Sequence, residues 1–152
     1  MRTRLLIGLT VTTSLTAPAA AETWHEVATS DALIAYADVD SIKSSGANLS
    51  MTVFQGFDLG VGEKGDVYYT KSQIELDCTG RQVRELRMDV FGIDRAMLAP
   101  MPLNTSWQPI TDGTLAATYS SVACNGERGS STYTDPFLAA DDYWEYMYYY
   151  GP

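Results

Sequence analysis

Histidine, cysteine and positive charge are all scarce in this chain. Its 152 residues include one histidine, two cysteines and 10 Lys+Arg against 19 Asp+Glu. A lone His25 with no serine or cysteine nucleophile motif gives general-base catalysis no frame, and it reads as a surface residue of an edge strand. Two cysteines without a C-x-x-C spacing or a basic setting leave no redox motif. The formal net charge of −9 repels nucleic acid, heparin-like polyanions and anionic headgroups. "GVGEKGD" lacks the G-K-[ST] ending and the following helix of a phosphate loop. Asp31, Asp38 and Asp40 lack the spacing of a Ca²⁺ loop. Asp141 and Asp142 are adjacent and diverge on a helix, so they are poor joint ligands. The expectation is therefore no catalytic residue, no metal site and no cofactor. No apolar run is long enough to cross a membrane.

What is present begins with an address. "MRTR", "LLIGLTVTTSLT" and "APAAA" form the positive, apolar and small-residue regions of a signal peptide, residues 1–21, with cleavage expected after Ala21. No cysteine follows that region, so no lipid anchor is expected. Removal leaves 131 residues, with 8 basic side chains against 19 acidic ones, a net −11. That is one ordinary domain, exported to the periplasm or to the cell surface and beyond. An exported chain meets an oxidising compartment, so Cys78 and Cys124 are expected to pair.

From Trp24 to Phe91 the chain reads as strands. Ile74, Leu76 and Cys78 alternate with Gln73, Glu75 and Asp77, and Leu86, Met88 and Val90 with Glu85, Arg87 and Asp89. Period-two alternation marks antiparallel strands with one face covered and one wet. Phe54 breaks the pattern of Leu49, Met51 and Val53. At "CTGRQ" a three-residue loop, Thr79 to Arg81, sets Ile74 opposite Leu86 and Ser72 opposite Met88, at the cost of Glu75 facing Glu85. Arg81, Arg84 and Arg87, interleaved with acids, read as a salt-bridged sheet surface. "LAPMPLNTSWQPI" reads as a proline-rich connection. "TDGTLAATYSSVACNG" reads as a helix, with Thr111, Asp112 or Thr114 as cap, Leu115, Tyr119 and Val122 on one face, and Gly126 as stop. The fold class is α+β: an antiparallel sheet of about five to six strands with a C-terminal helix stapled to it by the disulfide.

Residues 127–152 read as a linker and an acidic, aromatic-rich tail. "DDYWEYMYYYGP" holds five of the ten tyrosines. Asp135-Pro136 is a helix start signal, which favours a helix to about Met147 over a strand. Phe137, Ala140, Trp144 and Met147 or Tyr148 then form an apolar stripe able to cover a bare sheet face. The tail is expected to be a packing element, docked on its own domain or on a dimer mate, rather than the functional site, unless the "GERGSS" linker leaves it free. In the partner-binding alternative Tyr143, Trp144, Tyr146 and Tyr148 are the candidate residues, because Tyr and Trp give contact area at low entropic cost.

Several pieces together carry a resemblance. Trp24 opens the domain. "AYADVDSI" follows with Tyr36, Asp40, Ser41 and Ile42, then "KSQIELDC" with Lys71, Glu75 and Cys78. "RQVRELRMDVFG" brings Arg81 and Arg84, and "SWQPI" and "VAC" close the series. In order and spacing, residues 22–126 resemble the surface-adhesin protein E domain of bacteria. The resemblance implies a disulfide-held sheet and helix, and signature residues Trp24, Asp40, Lys71, Cys78, Arg81 and Trp107 with structural roles. It implies a non-catalytic, adhesin-like binding module whose partner is a host matrix protein or an envelope protein, or a second copy of the chain in a homodimer. A periplasmic structural or envelope-assembly accessory is the alternative. Intact mass of the exported protein tests the export reading: the mature chain is expected to begin near Glu22, and retention of the first twenty residues would exclude the cleavage site.

Overall fold

The computed structural model describes residues 22–59, 66–129 and 131–151. The signal segment and most of "GVGEKGD" lie outside the described residues. The strands are β1 (Trp24–Thr29), β2 (Leu33–Ser45), β3 (Asn48–Phe57), β4 (Tyr69–Asp77), β5 (Gln82–Phe91), β6 (Met97–Pro102) and β7 (Gln108–Pro109). Helix α1 (Leu115–Asn125), β8 (Thr132–Tyr133) and helix α2 (Pro136–Tyr150) complete the chain. All strand pairs are antiparallel, in the order β6-β5-β4-β3-β2-β1-β8, with β7 also on β5.

The sheet has eight strands, more than expected. The additions are short or carry proline, which hides them from periodicity. In β6, Pro100 faces Asp89 and Pro102 faces Arg87. Proline donates no ladder hydrogen bond, so it is tolerated where β6 lies, at the sheet edge. His25 departs from the edge-strand reading: it is half-buried on β1, flanked by β2 and β8.

Both faces of the sheet are covered, not one. On the first, Ala35, Ala37, Met51, Val53, Ile74 and Leu76 meet Tyr119 and Val122 of α1. The small side chains of Ala35 and Ala37 let the helix sit close. The Thr114 side chain caps α1 by accepting from the Ala117 N–H, and Gly126 ends it in the left-handed region at φ 73, where glycine carries no Cβ penalty. Cys78, in the β4–β5 turn, and Cys124, in the last turn of α1, form the expected disulfide with Cα atoms 5.8 Å apart.

On the second face Trp24, Ile34, Tyr36, Phe54, Tyr68 and Tyr69 pack with Ala139 and Ala140 of α2. Phe54 therefore breaks the one-sided alternation because its own face is also core. Asp135 caps α2 as expected, accepting from Phe137 N (2.9 Å) and Leu138 N (3.3 Å). Phe137 stands edge-on to Phe54, Phe91 and Tyr69 at 4.9, 5.0 and 5.3 Å between ring centroids. Such pairs each contribute about 0.5–1.5 kcal/mol beyond burial. Gly56 allows the approach, since a Cβ there would lie 3.2 Å from Ala140 Cβ and 3.1 Å from Ile34 Cγ2. Helix α2 runs three residues past the expected Met147, to Tyr150. It is thus the second helix, so the disulfide holds α1 and not the last helix of the chain.

The β4–β5 register corrects the expected turn. Ser72 faces Met88 as read, and Lys71 faces Asp89, but a bulge at Gln73/Ile74 shifts the turn end, so Ile74 faces Glu85 and Leu76 faces Val83. The loop spans four residues because Asp77 Oδ1 accepts from the N–H groups of Thr79 (3.0 Å) and Gly80 (2.8 Å), drawing Asp77 into the closure. The slip brings Glu75 opposite Arg84 instead of Glu85, replacing a repulsion with an ion pair.

The disulfide closes a separation of 46 residues, and the chain-entropy account assigns such a closure about 4 kcal/mol. Urea titration of the Cys78→Ser/Cys124→Ser variant is expected to show a loss of that order. A loss below roughly 1 kcal/mol would show that α1 is held by packing alone.

Candidate functional site

By strand parity Glu75 shares the second face with Phe54, at the end that α2 does not reach. It is only 4 % exposed. Arg84 Nε (2.7 Å) and Nη2 (2.5 Å) bind its Oε2, while Ser45 Oγ (2.8 Å) and Asn48 Nδ2 (3.3 Å) donate to Oε1. Burial pushes this carboxyl up, but the hydrogen bonds from Arg84, Ser45 and Asn48 outweigh it and hold it below the usual glutamate range. The Arg84 guanidinium lies over Trp107, 4.7 Å from the ring. Both oxygens of Glu75 are thus satisfied by side chains of the protein itself, so this is a structural knot. The other two arginines of the series are paired as well, Arg81 with Asp112 and Arg87 with Asp89, giving the salt-bridged surface expected. Lys71 faces Asp89 across the sheet, yet its ammonium pairs with Glu22 (3.0 Å) and sits 5.0 Å over Trp24.

A cleft of about 530 Å³ opens between α1 and the first face of the sheet. Val53, Ile74, Val83 and Leu115 line it, with Gln55 and Tyr119 among its polar groups. Gln55 Nε2 donates to Tyr119 Oη at 3.4 Å, and burial keeps the Tyr119 phenol protonated. Asp38 is buried, and that burial raises its carboxyl pKa, partly offset by the Asp40 and Ser41 backbone. Asp31 and Asp40 are exposed. Among the described residues no group of three or more His, Cys, Asp or Glu is placed to hold a metal ion.

The four candidate tail residues separate into two roles. Tyr143 donates to the Ser30 carbonyl at 3.0 Å, and Trp144, half-buried, meets Tyr143 edge-on at 4.8 Å. These two dock the helix. Asp141 assists them, accepting from the Tyr69 hydroxyl and from Arg95. Tyr146 and Tyr148 instead face solvent at 59 and 83 % exposure, and the structure adds Tyr149 and Tyr150 at 67 and 74 %. These last two escaped the sequence reading because it ended the helix near Met147. The "YYY" run was their visible signal.

The structure is thus a sheet covered by two helices, one held by a disulfide and the other carrying exposed aromatics on its outer side. The surface-adhesin protein E family model matches residues 24–125. The chain belongs to that family. Two solved structures are similar to it. Crystal form II of Haemophilus influenzae protein E is 12 % identical, over 66 % of this chain and 92 % of that one, at a TM-score of 0.44. Protein E from non-typeable Haemophilus influenzae is 11 % identical, over 78 % of this chain and 89 % of that one, at 0.43. No curated protein matches the chain. The family match ends one residue after Cys124, so β8 and α2 lie outside it.

Removing Arg84 would leave Glu75 charged and buried. Arg84→Ala is expected to cost about 2–3 kcal/mol at pH 7. A carboxyl held below its unfolded value stabilises the fold above that value and stops doing so once acid protonates it. The gap between variant and wild type should therefore close as pH falls below about 4.3, the ordinary glutamate value. Denaturant titrations at pH 7 and in acid check this; a gap that stays constant would remove Glu75 from the account.

Proposed function

We propose that this chain is an exported, non-catalytic binding module of adhesin-like type, which meets a protein partner at the cell surface or in the envelope. Family membership supports a binding role. The observation that carries the reading is the exposure of Tyr146, Tyr148, Tyr149 and Tyr150, at 59 to 83 %, on a helix whose opposite side is built into the core. Large aromatics are costly to leave in water and are enriched at interfaces. No described helix is long and apolar enough to cross a membrane, and the acidic composition argues against a basic amphipathic helix lying on lipid.

Beads coated with the mature protein should adhere to host-cell monolayers. Tyr146→Ser/Tyr148→Ser/Tyr149→Ser/Tyr150→Ser should abolish adhesion while stability changes by no more than about 0.5 kcal/mol per site, as for other surface substitutions. Adhesion equal to wild type by the quadruple variant would sink the assignment of α2. Failure of wild-type beads to adhere, with the tagged protein retained inside the outer membrane on fractionation, would favour the envelope-accessory role.

A further inference from the structure

We infer that the free end of α2 is a receptor for cationic side chains, and that the partner meets it with an arginine- and lysine-rich segment; this rests on α2 being the partner-binding face. Residues four apart on a helix form rows on its surface. Asp142, Tyr146 and Tyr150 make one such row, and Glu145 and Tyr149 make the row beside it. Together the five line a hollow of about 420 Å³. The Tyr146 and Tyr150 rings lie 5.5 Å apart and tilted by 34°, and Tyr149 lies 6.4 Å from Tyr150 at 56°. Carboxylates thus stand at one end of the hollow and π-faces at the other.

Three features select a cation as the occupant. Neither Asp142 nor Glu145 enters an ion pair among the described residues; nearby Asp141 differs, being taken by Arg95. The last turn of α2 contains no basic residue, so the negative end of the helix dipole is uncompensated and favours a positive group supplied from outside. Aromatic faces attract guanidinium and ammonium groups directly, which a merely hydrophobic contact surface would not require. A flat guanidinium stacks on a phenol ring while its edge reaches a carboxylate, so arginine should be preferred to lysine. The whole-chain excess of acid, net −9, steers a basic segment towards the protein.

The test uses the mature protein and dye-labelled octapeptide amides rich in arginine, lysine, glutamate or serine, followed by fluorescence anisotropy. The arginine peptide should bind most tightly, the lysine peptide less, and the other two not at all, with affinity falling as salt rises. Asp142→Asn/Glu145→Gln, and separately Tyr146→Ser/Tyr149→Ser/Tyr150→Ser, should each weaken binding about tenfold or more with unchanged melting temperature. Asp40→Asn/Glu127→Gln removes the same charge from exposed positions on β2 and after the end of α1 and should leave affinity as it was. An equal loss there would reduce the effect to the general field and overturn the site. Undiminished binding by the tyrosine variant would overturn it too. If wild type ignores both basic peptides while the four-tyrosine variant still loses adhesion, the cationic chemistry fails and the protein-binding reading stands. If that variant keeps adhesion, the protein-binding reading itself falls.

Discussion

Phe137 in its aromatic socket is the contact on which the rest of the molecule turns. Phe54, Tyr69 and Phe91 come from three adjacent strands and leave room for one ring inserted edge-on. Seating that ring fixes the start of α2, and Gly56 lets Ala140 settle one turn further along. Without α2 the second face would expose Trp24, Tyr36, Phe54 and Tyr69, now at most 3 % accessible. An apolar patch of that size on a monomer invites association. The tail of the chain is in this sense an inside surface on one side, while its other side, with Leu138, Tyr146, Tyr148, Tyr149 and Tyr150, faces outwards.

The two faces are closed by different means. Helix α1 carries a narrow stripe over alanines and is tied by Cys78–Cys124 at its end. Helix α2 carries no covalent tie and relies on aromatic contact, a good N-cap and the Tyr143 and Asp141 hydrogen bonds. Where α2 stops short, the second face changes from aromatic to polar, and Glu75 is buried with Arg84, Ser45 and Asn48 as partners. Such a group is tolerable only because its oxygens are satisfied from several elements.

The family match covers the sheet and α1, residues 24–125. The surface with the highest density of exposed aromatics lies beyond it, on an element whose inner side completes the core. These aromatics stand on a helix docked to the sheet rather than on a loop, so their positions are largely fixed beforehand.

Local chemistry settled a good deal in advance. Period-two alternation gave β3, β4 and β5, Thr114 and Gly126 bounded α1, Asp135-Pro136 opened α2, and two cysteines in an exported chain left one pairing. Each of these depends on neighbours within a few residues, so one sequence suffices to read it. The proline-bearing β6 and the two-residue β7 and β8 were not legible, because such strands have too few residues to show a period and exist only through the strands they join. The β4–β5 register was half legible: its far end agreed, while Asp77 drew the turn into a four-residue loop and a bulge absorbed the difference. That slip decided the partner of Glu75, a choice made by backbone geometry across two strands. The tail composition and its Asp135-Pro136 start predicted a packing helix without saying which of its aromatics would reach the core. Only packing could sort Tyr143 and Trp144, held against the body, from Tyr146, Tyr148, Tyr149 and Tyr150, left in water, because the direction of a helix face is set by what it lies on.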